Sequence, residues 1–127
     1  MGTNTITQQL LTGERALFQA QDLAIRDCVF ENGESPLKES RGITFENCTI
    51  ESLQGLCYVD GLTMRDCRLI NTTRAFEYCT DIDAQSTTRI DGIVNPTSVI
   101  IRAPQFGEIV QNDPAIDRSQ ITIVETE

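Results

Sequence analysis

Hydrophobic and polar residues alternate with a period of two along short stretches of the chain, and similar stretches recur at a nearly constant spacing. Three copies align without gaps: DLAIRDCVF (22–30), GITFENCTI (42–50) and GLTMRDCRL (61–69). Each copy reads apolar-x-apolar-x-x-Cys-x-apolar, and the cysteines fall at positions 28, 48 and 67. A period of two predicts β-strands rather than helices.

A repeat of about 19–20 residues that contains short strands is typical of a solenoid whose coils stack at about 4.8 Å. We therefore predict an all-β fold, a single-stranded parallel β-helix, in which recurring apolar residues form columns through one continuous core. The first predicted column contains Ile6, Ile25, Phe45, Met64, Ala84, Ala103 and Ile123. The second contains Leu17, Leu37, Leu56 and Phe76, each followed three residues later by Ala20, Ser40, Val59 or Cys79.

Polar residues repeat with the same spacing. In a stack with this register, Glu46 lies between Arg26 and Arg65, and Thr87 takes the cysteine position of the following coil. Asp and Asn tolerate turn conformations, so we expect them at the adjacent corner of each coil. The residues at that corner are Asp27, Asn47 and Asp66.

The repeat weakens toward both ends, and three prolines interrupt it near the C-terminus, where proline cannot donate to an interior ladder. We interpret residues 1–127 as one β-solenoid domain. Residues 2–14 are expected to form an N-terminal cap, residues 15–91 the regular coils, and residues 92–127 an imperfect last coil with a C-terminal cap. Uncovered coil ends would be open sheet edges, so a homo-oligomer through the coil ends is one expectation.

Composition and charge exclude several classes of function. The 127 residues carry a formal charge of -9 and include five cysteines but no histidine. No Ser-His-Asp triad, Cys-His pair or histidine-ligated metal is therefore available, and we expect no cofactor.

The excess of acidic over basic residues argues against a nucleic-acid partner. No apolar run is long enough for a membrane helix, and the first residues do not resemble a secretory signal. The number of cysteines is odd and none lies in a C-x-x-C pair, so we expect reduced thiols. Reduced thiols are typical of the cytoplasm, which is the expected location.

The cysteines are the most visible cluster of reactive groups. Cys28, Cys48 and Cys67 are expected to stack in successive coils, which places the outer thiols about 9–10 Å apart. Tetrahedral thiolate coordination at about 2.3 Å per bond cannot span that distance. Stacked parallel side chains also lack the dihedral angle of about 90° that a disulfide requires. We predict inward thiols that pack as small hydrophobic groups, and the same for Cys57 and Cys79.

Acidic residues supply the candidates for catalysis and metal binding. Asp27 and Asp66 would lie two coils apart on one corner, near the carboxylate separation of inverting glycosidases. A role as ordinary turn residues is favoured, because neither is predicted to be buried. Asp81 and Asp83 flank Ile82 and are expected to point outward. With a neighbouring coil they would be calcium ligands, although a solvated acidic face is the favoured interpretation.

Tyr58 and Tyr78 are the candidates for binding. They are expected near Glu39 and Glu77, where a groove for a sugar or a peptide would form. The competing interpretation is that both tyrosines simply cover the coil surface.

Four longer strings carry a resemblance to a known family: GERALFQAQDL, FENGESPLKESRGI, NCTIESLQGLCYVDGL and CRLINTTRAFEYCT. From residue 13 to the C-terminus the chain resembles an uncharacterised bacterial family of right-handed parallel β-helices in the pectate-lyase-like superfamily. The resemblance implies right-handed, three-faced coils and a cytoplasmic protein without an assigned reaction. Family members have further coils between the segments that here are joined across Ser40 to Cys48, yet the period is unbroken at this join.

These observations favour a non-catalytic structural scaffold, a shortened or engineered version of a larger protein. One alternative, by analogy with the superfamily, is a carbohydrate-binding or polysaccharide-cleaving module. Another is a repeat protein that assembles end to end.

Overall fold

The structure is a computed structural model that describes residues 4–12, 19–33, 38–52 and 56–126. Within these ranges the chain forms twelve strands and one 3₁₀ helix, and no α-helix. The strands are β1 (Asn4–Thr7), β2 (Leu10–Thr12), β3 (Gln21–Arg26), β4 (Val29–Gly33), β5 (Arg41–Glu46), β6 (Thr49–Ser52), β7 (Asp60–Ile70), β8 (Thr80–Ser86), β9 (Ile90–Val94), β10 (Val99–Ala103), β11 (Phe106–Val110) and β12 (Ile121–Glu125). The 3₁₀ helix spans Arg118–Gln120 and directly precedes β12.

Parallel pairing between successive coils organises these strands. The first sheet follows the order β1-β3-β5-β7-β8-β10-β12. A second series pairs β2, β4, β6 and β7, and β9 pairs with β11. The 11-residue strand β7 belongs to both series because it continues around the corner between them. The predicted all-β solenoid of stacked parallel strands is therefore confirmed, with about six coils.

The register of the first sheet agrees with the prediction from the first coil to the fifth. The pairs are Ile6–Ile25, Ile25–Phe45, Phe45–Met64 and Met64–Ala84. Beyond the corner, the amide of Thr49 donates to the carbonyl of Cys28 at 3.0 Å. The amide of Arg68 donates in the same way to the carbonyl of Cys48 at 2.9 Å. These bonds confirm that the cysteines at 28, 48 and 67 stack in successive coils.

The register departs from the prediction after the fifth coil. Ala84 pairs with Ile101, a shorter step than in the regular coils, and Ile101 pairs with Ile123, a longer one. The predicted place of Ala103 in the first column is therefore wrong. The physical reason is a short corner before β10, where Asn95 adopts a left-handed backbone (φ 43°) and the buried Pro96 follows it.

Of two smaller expectations about neighbouring positions, the one for Thr87 is wrong and the one for Glu46 is confirmed. The ladder shifts between Met64 and Cys67, so that Ser86 rather than Thr87 pairs with Cys67. The Nε of Arg26 lies 3.6 Å from the Oε2 of Glu46. Arg65, however, turns to the next coil and forms its ion pair with Asp83. The register confirms that Glu46 lies between Arg26 and Arg65, and Glu46 forms its ion pair with Arg26.

The core is the stack of inward side chains inside the coils. The largest fully buried ones are Phe30, Phe45, Phe76, Ile25, Ile43, Ile50, Leu56, Met64, Leu69, Ile90 and Ile93. Complete burial of one such side chain stabilises the fold by about 1.5–3 kcal/mol. In the second predicted column, Ser40, Val59 and Cys79 are buried and Ala20 is partly buried. Leu17 and Leu37 lie outside the described residues.

Both ends of the solenoid contribute coil strands where the structure describes them. Within the proposed N-terminal cap, β1 and β2 pair in parallel with β3 and β4. At the other end, β12 pairs with β10 and β11 with β9. The described parts of both ends thus extend the stack and finish in strand edges. No helix in the described ranges has the length and hydrophobicity needed to span a membrane.

Candidate functional site

Two tyrosines stack on the outside of the corner that precedes the first sheet. The ring centroids of Tyr58 and Tyr78 are 5.6 Å apart, and the ring planes differ by 21°. The Nζ of Lys38 lies 5.9 Å from the centroid of the Tyr58 ring. The hydroxyl of Tyr78 donates a hydrogen bond to the Oδ2 of Asp113 at 3.0 Å. We call Lys38, Glu39, Tyr58, Tyr78 and Asp113 the tyrosine corner.

A ladder of left-handed backbone conformations positions these side chains. Glu39, Tyr58 and Tyr78 have φ values of 60°, 55° and 52°. The left-handed region costs a residue with a Cβ about 1–2 kcal/mol. Hydrogen bonds to the next coil offset this cost: the amide of Tyr58 donates to Glu77 O at 2.9 Å, and that of Tyr78 to Asn95 O at 3.0 Å. The repeated conformation directs both rings along the outside of one corner.

The tyrosine corner contains a shallow depression of about 240 Å³, lined by Lys38, Glu39 and Tyr58. Tyr58 is 49% exposed. Because Tyr78 stacks on its ring from one side and Lys38 lies over it, a ligand would meet the edge and hydroxyl of Tyr58. The hydrogen bond to Asp113 raises the pKa of Tyr78, so this phenol stays a donor. The site therefore offers an ammonium, a carboxylate and phenol groups to a polar ligand.

Asn95 attaches the segment that carries Asp113, a role that the repeat pattern of the sequence does not indicate. Its Oδ1 accepts from the amides of Asn112 and Asp113 at 3.0 and 3.3 Å. Its Nδ2 donates to the Oδ1 of Asn112 at 2.9 Å. The available signal was an asparagine directly before Pro96, a pair of residues that favours a turn.

Asp27 and Asp66 lie at equivalent exposed corners, with φ values of 55° and 54°, as expected for turn residues. Asn47 lies in the coil between them and donates from Nδ2 to the Oδ1 of Asp27 at 2.8 Å. The Oδ1 of Asn47 in turn accepts from the Nη2 of Arg68 at 3.2 Å. The chain of contacts is a polar ladder along the corner, and it occupies the space between the two carboxylates.

Asp83 lies between two arginines of the neighbouring coils. Its Oδ2 is 3.0 Å from the Nη2 of Arg65, and its Oδ1 is 3.3 Å from the Nη1 of Arg102. Arg65, and then Arg102, lower the pKa of Asp83. Asp81 is exposed and has a left-handed backbone (φ 59°). Since both oxygens of Asp83 face guanidinium groups, this pair of aspartates is a poor calcium site. In the described ranges, no group of three acidic or thiol side chains is arranged to hold a metal ion.

The cysteines do more than fill space, because they bond to backbone groups at the corners. Three hydrogen bonds join an amide of one coil to a side chain of the next: Cys48 N–H to Cys67 Sγ (3.5 Å), Val59 N–H to Cys79 Sγ (3.4 Å) and Ala20 N–H to Ser40 Oγ (3.0 Å). The thiol of Cys67 also donates to the carbonyl of Arg65 at 3.2 Å. The sequence held one signal for this role, since a serine takes the equivalent position at Ser40.

All five cysteine side chains are buried. Contact with the Cys48 thiol and burial raise the pKa of Cys67. Burial likewise raises the pKa of Cys28 and of Cys79. The thiols of Cys28, Cys67 and Cys79 are therefore held in the protonated form, which donates hydrogen bonds and is a weak nucleophile.

Comparison with known proteins gives one match. A family model described as "Protein of unknown function (DUF3737)" matches residues 4–45 and 40–124. The two matched segments overlap at residues 40–45, which include most of β5. A search of curated proteins and a search of solved structures found no match.

Proposed function

The chain belongs to the DUF3737 family of proteins of unknown function, and we propose that it is a non-catalytic structural scaffold built from β-solenoid coils. One observation carries this proposal: two of the candidate carboxylates, those of Asp27 and Asp83, are bonded to side chains of neighbouring coils. Asp27 bonds to Asn47, and Asp83 bonds to two arginines. The buried Sγ of Cys67 accepts a hydrogen bond from the amide of Cys48 in the preceding coil and donates to the carbonyl of Arg65 in its own strand. These contacts support a role in holding coils together.

An activity assay tests the absence of catalysis. The chain is incubated with neutral and acidic polysaccharides, and new reducing ends and unsaturated products are measured. We expect no product above the level of a heat-denatured sample. Product formation that disappears in Asp27→Asn or Asp66→Asn, with the fold retained, would show that the corner carboxylates are catalytic.

We further propose that the chain is a shortened or engineered version of a larger family member, with whole coils omitted between Ser40 and Cys48. The family match supports this, because it divides into two segments that overlap at residues 40–45. The unbroken repeat across the join also supports it, since removal of part of a coil would move inward side chains to the outer face.

Coil insertion tests this modular architecture. One variant duplicates residues 41–59, one full coil, and the matched control duplicates residues 41–50, about half a coil. We expect the full-coil variant to unfold cooperatively in urea, with a larger m-value because more surface is buried. The half-coil variant should lose most of its stability. Equal destabilisation by both insertions would refute the proposal.

Carbohydrate binding at the tyrosine corner is the second candidate function, favoured by the stacked tyrosines beside the depression of about 240 Å³. A ligand that binds only the folded state raises the melting temperature with concentration. The test is a thermal shift with a panel of oligosaccharides. Stabilisation should be lost in Tyr58→Ala and retained in Tyr78→Phe, which keeps the ring stack. No stabilisation by any saccharide would reject this function.

Three finer expectations belong to the same proposal. Right-handed winding is supported by the strong preference of parallel crossover connections for that hand. Membership of the pectate-lyase-like superfamily is supported by the resemblance of the sequence strings. A cytoplasmic location is supported by the buried, reduced thiols of Cys28, Cys48, Cys67 and Cys79, since reduced thiols are typical of reducing compartments. An experimental electron-density map would determine the hand directly.

A further inference from the structure

In the part of the chain that the structure describes, the first sheet ends in a strand with one unpaired edge at each end of the solenoid. Among the described strands, β1 pairs with β3 alone and β12 with β10 alone. Proteins normally protect such edges with charged residues or proline. Residues 4–12 contain neither, and β12 contains only the charge of Glu125. Both edges are therefore suited to pair with another strand.

The backbone of β12 directs hydrogen-bonding groups toward its open edge. The amide of Thr126 donates to the carbonyl of Ala103 at 2.8 Å, so this residue faces β10. Backbone groups of successive residues in a strand point alternately to opposite neighbours. By this alternation Thr122 and Val124 face β10, whereas the N–H and C=O groups of Ile123 face the open edge.

The backbone of β1 shows the complementary arrangement. The carbonyl of Ile6 faces the second coil, where it accepts a hydrogen bond from the Sγ of Cys28 at 3.7 Å. The same alternation directs the N–H and C=O groups of Thr5 and Thr7 away from β3. The open edge of β1 therefore presents the backbone groups of Thr5 and Thr7, which lie on either side of Ile6. Inside the molecule, β3 presents the equivalent groups on either side of Ile25 to β1.

We propose that copies of this chain associate head to tail, with β12 of one copy pairing in parallel with β1 of the next. Alignment of Ile123 with Ile6 of the next copy continues the first apolar column, just as Ile101 aligns with Ile123 within the chain. Ile123 then bonds to the Thr5 carbonyl and the Thr7 amide of that copy. Such a contact joins two different surfaces and does not close, so it produces open chains of copies.

Charge favours this orientation over contact between like ends. Residues 106–126 carry more acidic than basic residues: Glu108, Asp113, Asp117 and Glu125 against Arg118. Residues 4–12 are uncharged. Two C-terminal ends would bring acidic groups together, and their strands would not be parallel. Head-to-tail contact places the acidic end on the neutral one, while the net charge of -9 opposes association at low salt.

Sedimentation of the full chain, with reductant present, tests the proposal from about 1 µM to about 1 mM protein. The weight-average mass should rise from 14.1 kDa without reaching a fixed multiple. The rise should be steeper at about 1 M salt than at about 0.01 M, because salt screens the repulsion. A mass of one chain at every concentration, or one that stops at a dimer, would overturn the proposal.

Edge variants locate the contact. Thr5→Pro removes an N–H that faces the open edge and leaves the ladder to β3 intact, whereas Thr5→Ser retains the donor. Thr5→Pro should weaken association by about tenfold, and Thr5→Ser should not change it. Thr5→Glu places a negative charge at the neutral end and should weaken association only at low salt. Unchanged association in both Thr5→Pro and Thr5→Glu would overturn the pairing, and the second variant decides the outcome if the first does not fold.

Discussion

The coils before and after residue 90 maintain their pairing in different ways. From β3 to β8 the spacing between paired residues is nearly constant, and the inward side chains are buried. From β8 to β12 one short step is followed by one long step, and Phe106, Ile121 and Ile123 are only partly buried. The first region keeps its register through repeated core side chains. The second combines a smaller set of buried side chains, such as Ile93 and Ile101, with the side-chain bonds of Asn95.

This difference indicates which parts of a coil must repeat. Strand pairing depends on backbone groups, so it survives when a corner loses or gains residues. Most inward positions within each strand must remain apolar, and Ser52 and Ser86 are the buried polar residues within the described strands. Residues 95–98 make a short corner and residues 111–120 a long one, and β10 and β12 nevertheless pair in parallel.

Truncation of a core aromatic residue should give the largest effect. Phe45 is completely buried in the regular region, whereas Phe106 in the last coils is partly buried. Phe45→Ala should lower the free energy of unfolding by about 3–5 kcal/mol, and Phe106→Ala by about 1 kcal/mol. Urea denaturation followed by circular dichroism measures both. Equal losses would mean that the two regions are equally well packed.

Removal of the Asn95 amide should selectively loosen the last coils. Asn95→Ala loses bonds to Asn112 and Asp113 and should cost about 1–3 kcal/mol. Asn71→Ala is the matched control, because Asn71 is exposed and has a similar left-handed backbone (φ 54°). Amide hydrogen exchange should accelerate around residues 111–117 in the first variant alone. The same exchange pattern in both variants would show that the effect comes from the left-handed backbone conformation and not from the side-chain hydrogen bonds of Asn95.

Substitution of a stacked cysteine tests whether its hydrogen bonds matter in the regular region. Cys67→Ala leaves the Cys48 amide without its sulfur acceptor and should cost about 1–2 kcal/mol. Cys67→Ser retains an acceptor and should cost less, as the natural Ser86 in the next coil suggests. The comparison uses the midpoint of chemical denaturation. A serine variant less stable than the alanine variant would show that the thiol acts only through packing.

The smallest effect is expected from the ion pairs that connect the two regions. Arg65 and Arg102 lower the pKa of Asp83 below the ordinary value of 3.8, so they stabilise the fold above that pH. This stabilisation disappears as the pH falls through the lowered pKa. Because the side chains are partly exposed, Asp83→Asn should cost less than about 1 kcal/mol at pH 7 and nothing in strong acid. Urea denaturation at several pH values measures this, with Asp81→Asn as the control. A cost that does not depend on pH would exclude the ion pairs as its source.

The sequence was sufficient for the regular coils because their signal is periodic. Met64 and Cys67 could be placed by counting, and the pairing of Phe45 with Met64 follows from the same count. Counting failed where a corner changed length, since Asn95 and Pro96 alter the path of the chain without altering its apolar pattern. For the tyrosine corner, the sequence predicted only that Tyr58 and Tyr78 lie close to a groove. Its contact with Asp113 depends on a loop distant along the chain, which no periodicity encodes.

The nearly constant coil length also sets how the molecule should respond to mechanical force. Pairing partners in β3, β5, β7 and β8 lie one coil apart along the chain, so detaching a terminal coil releases one period of polypeptide. An extended chain spans about 3.3–3.6 Å per residue, which gives about 65–70 Å for each regular coil. The short and the long step near the C-terminus would give one shorter and one longer extension. When the chain is pulled from its C-terminus, the first two coils to detach should release unequal lengths of polypeptide. The regular coils should then release nearly equal lengths.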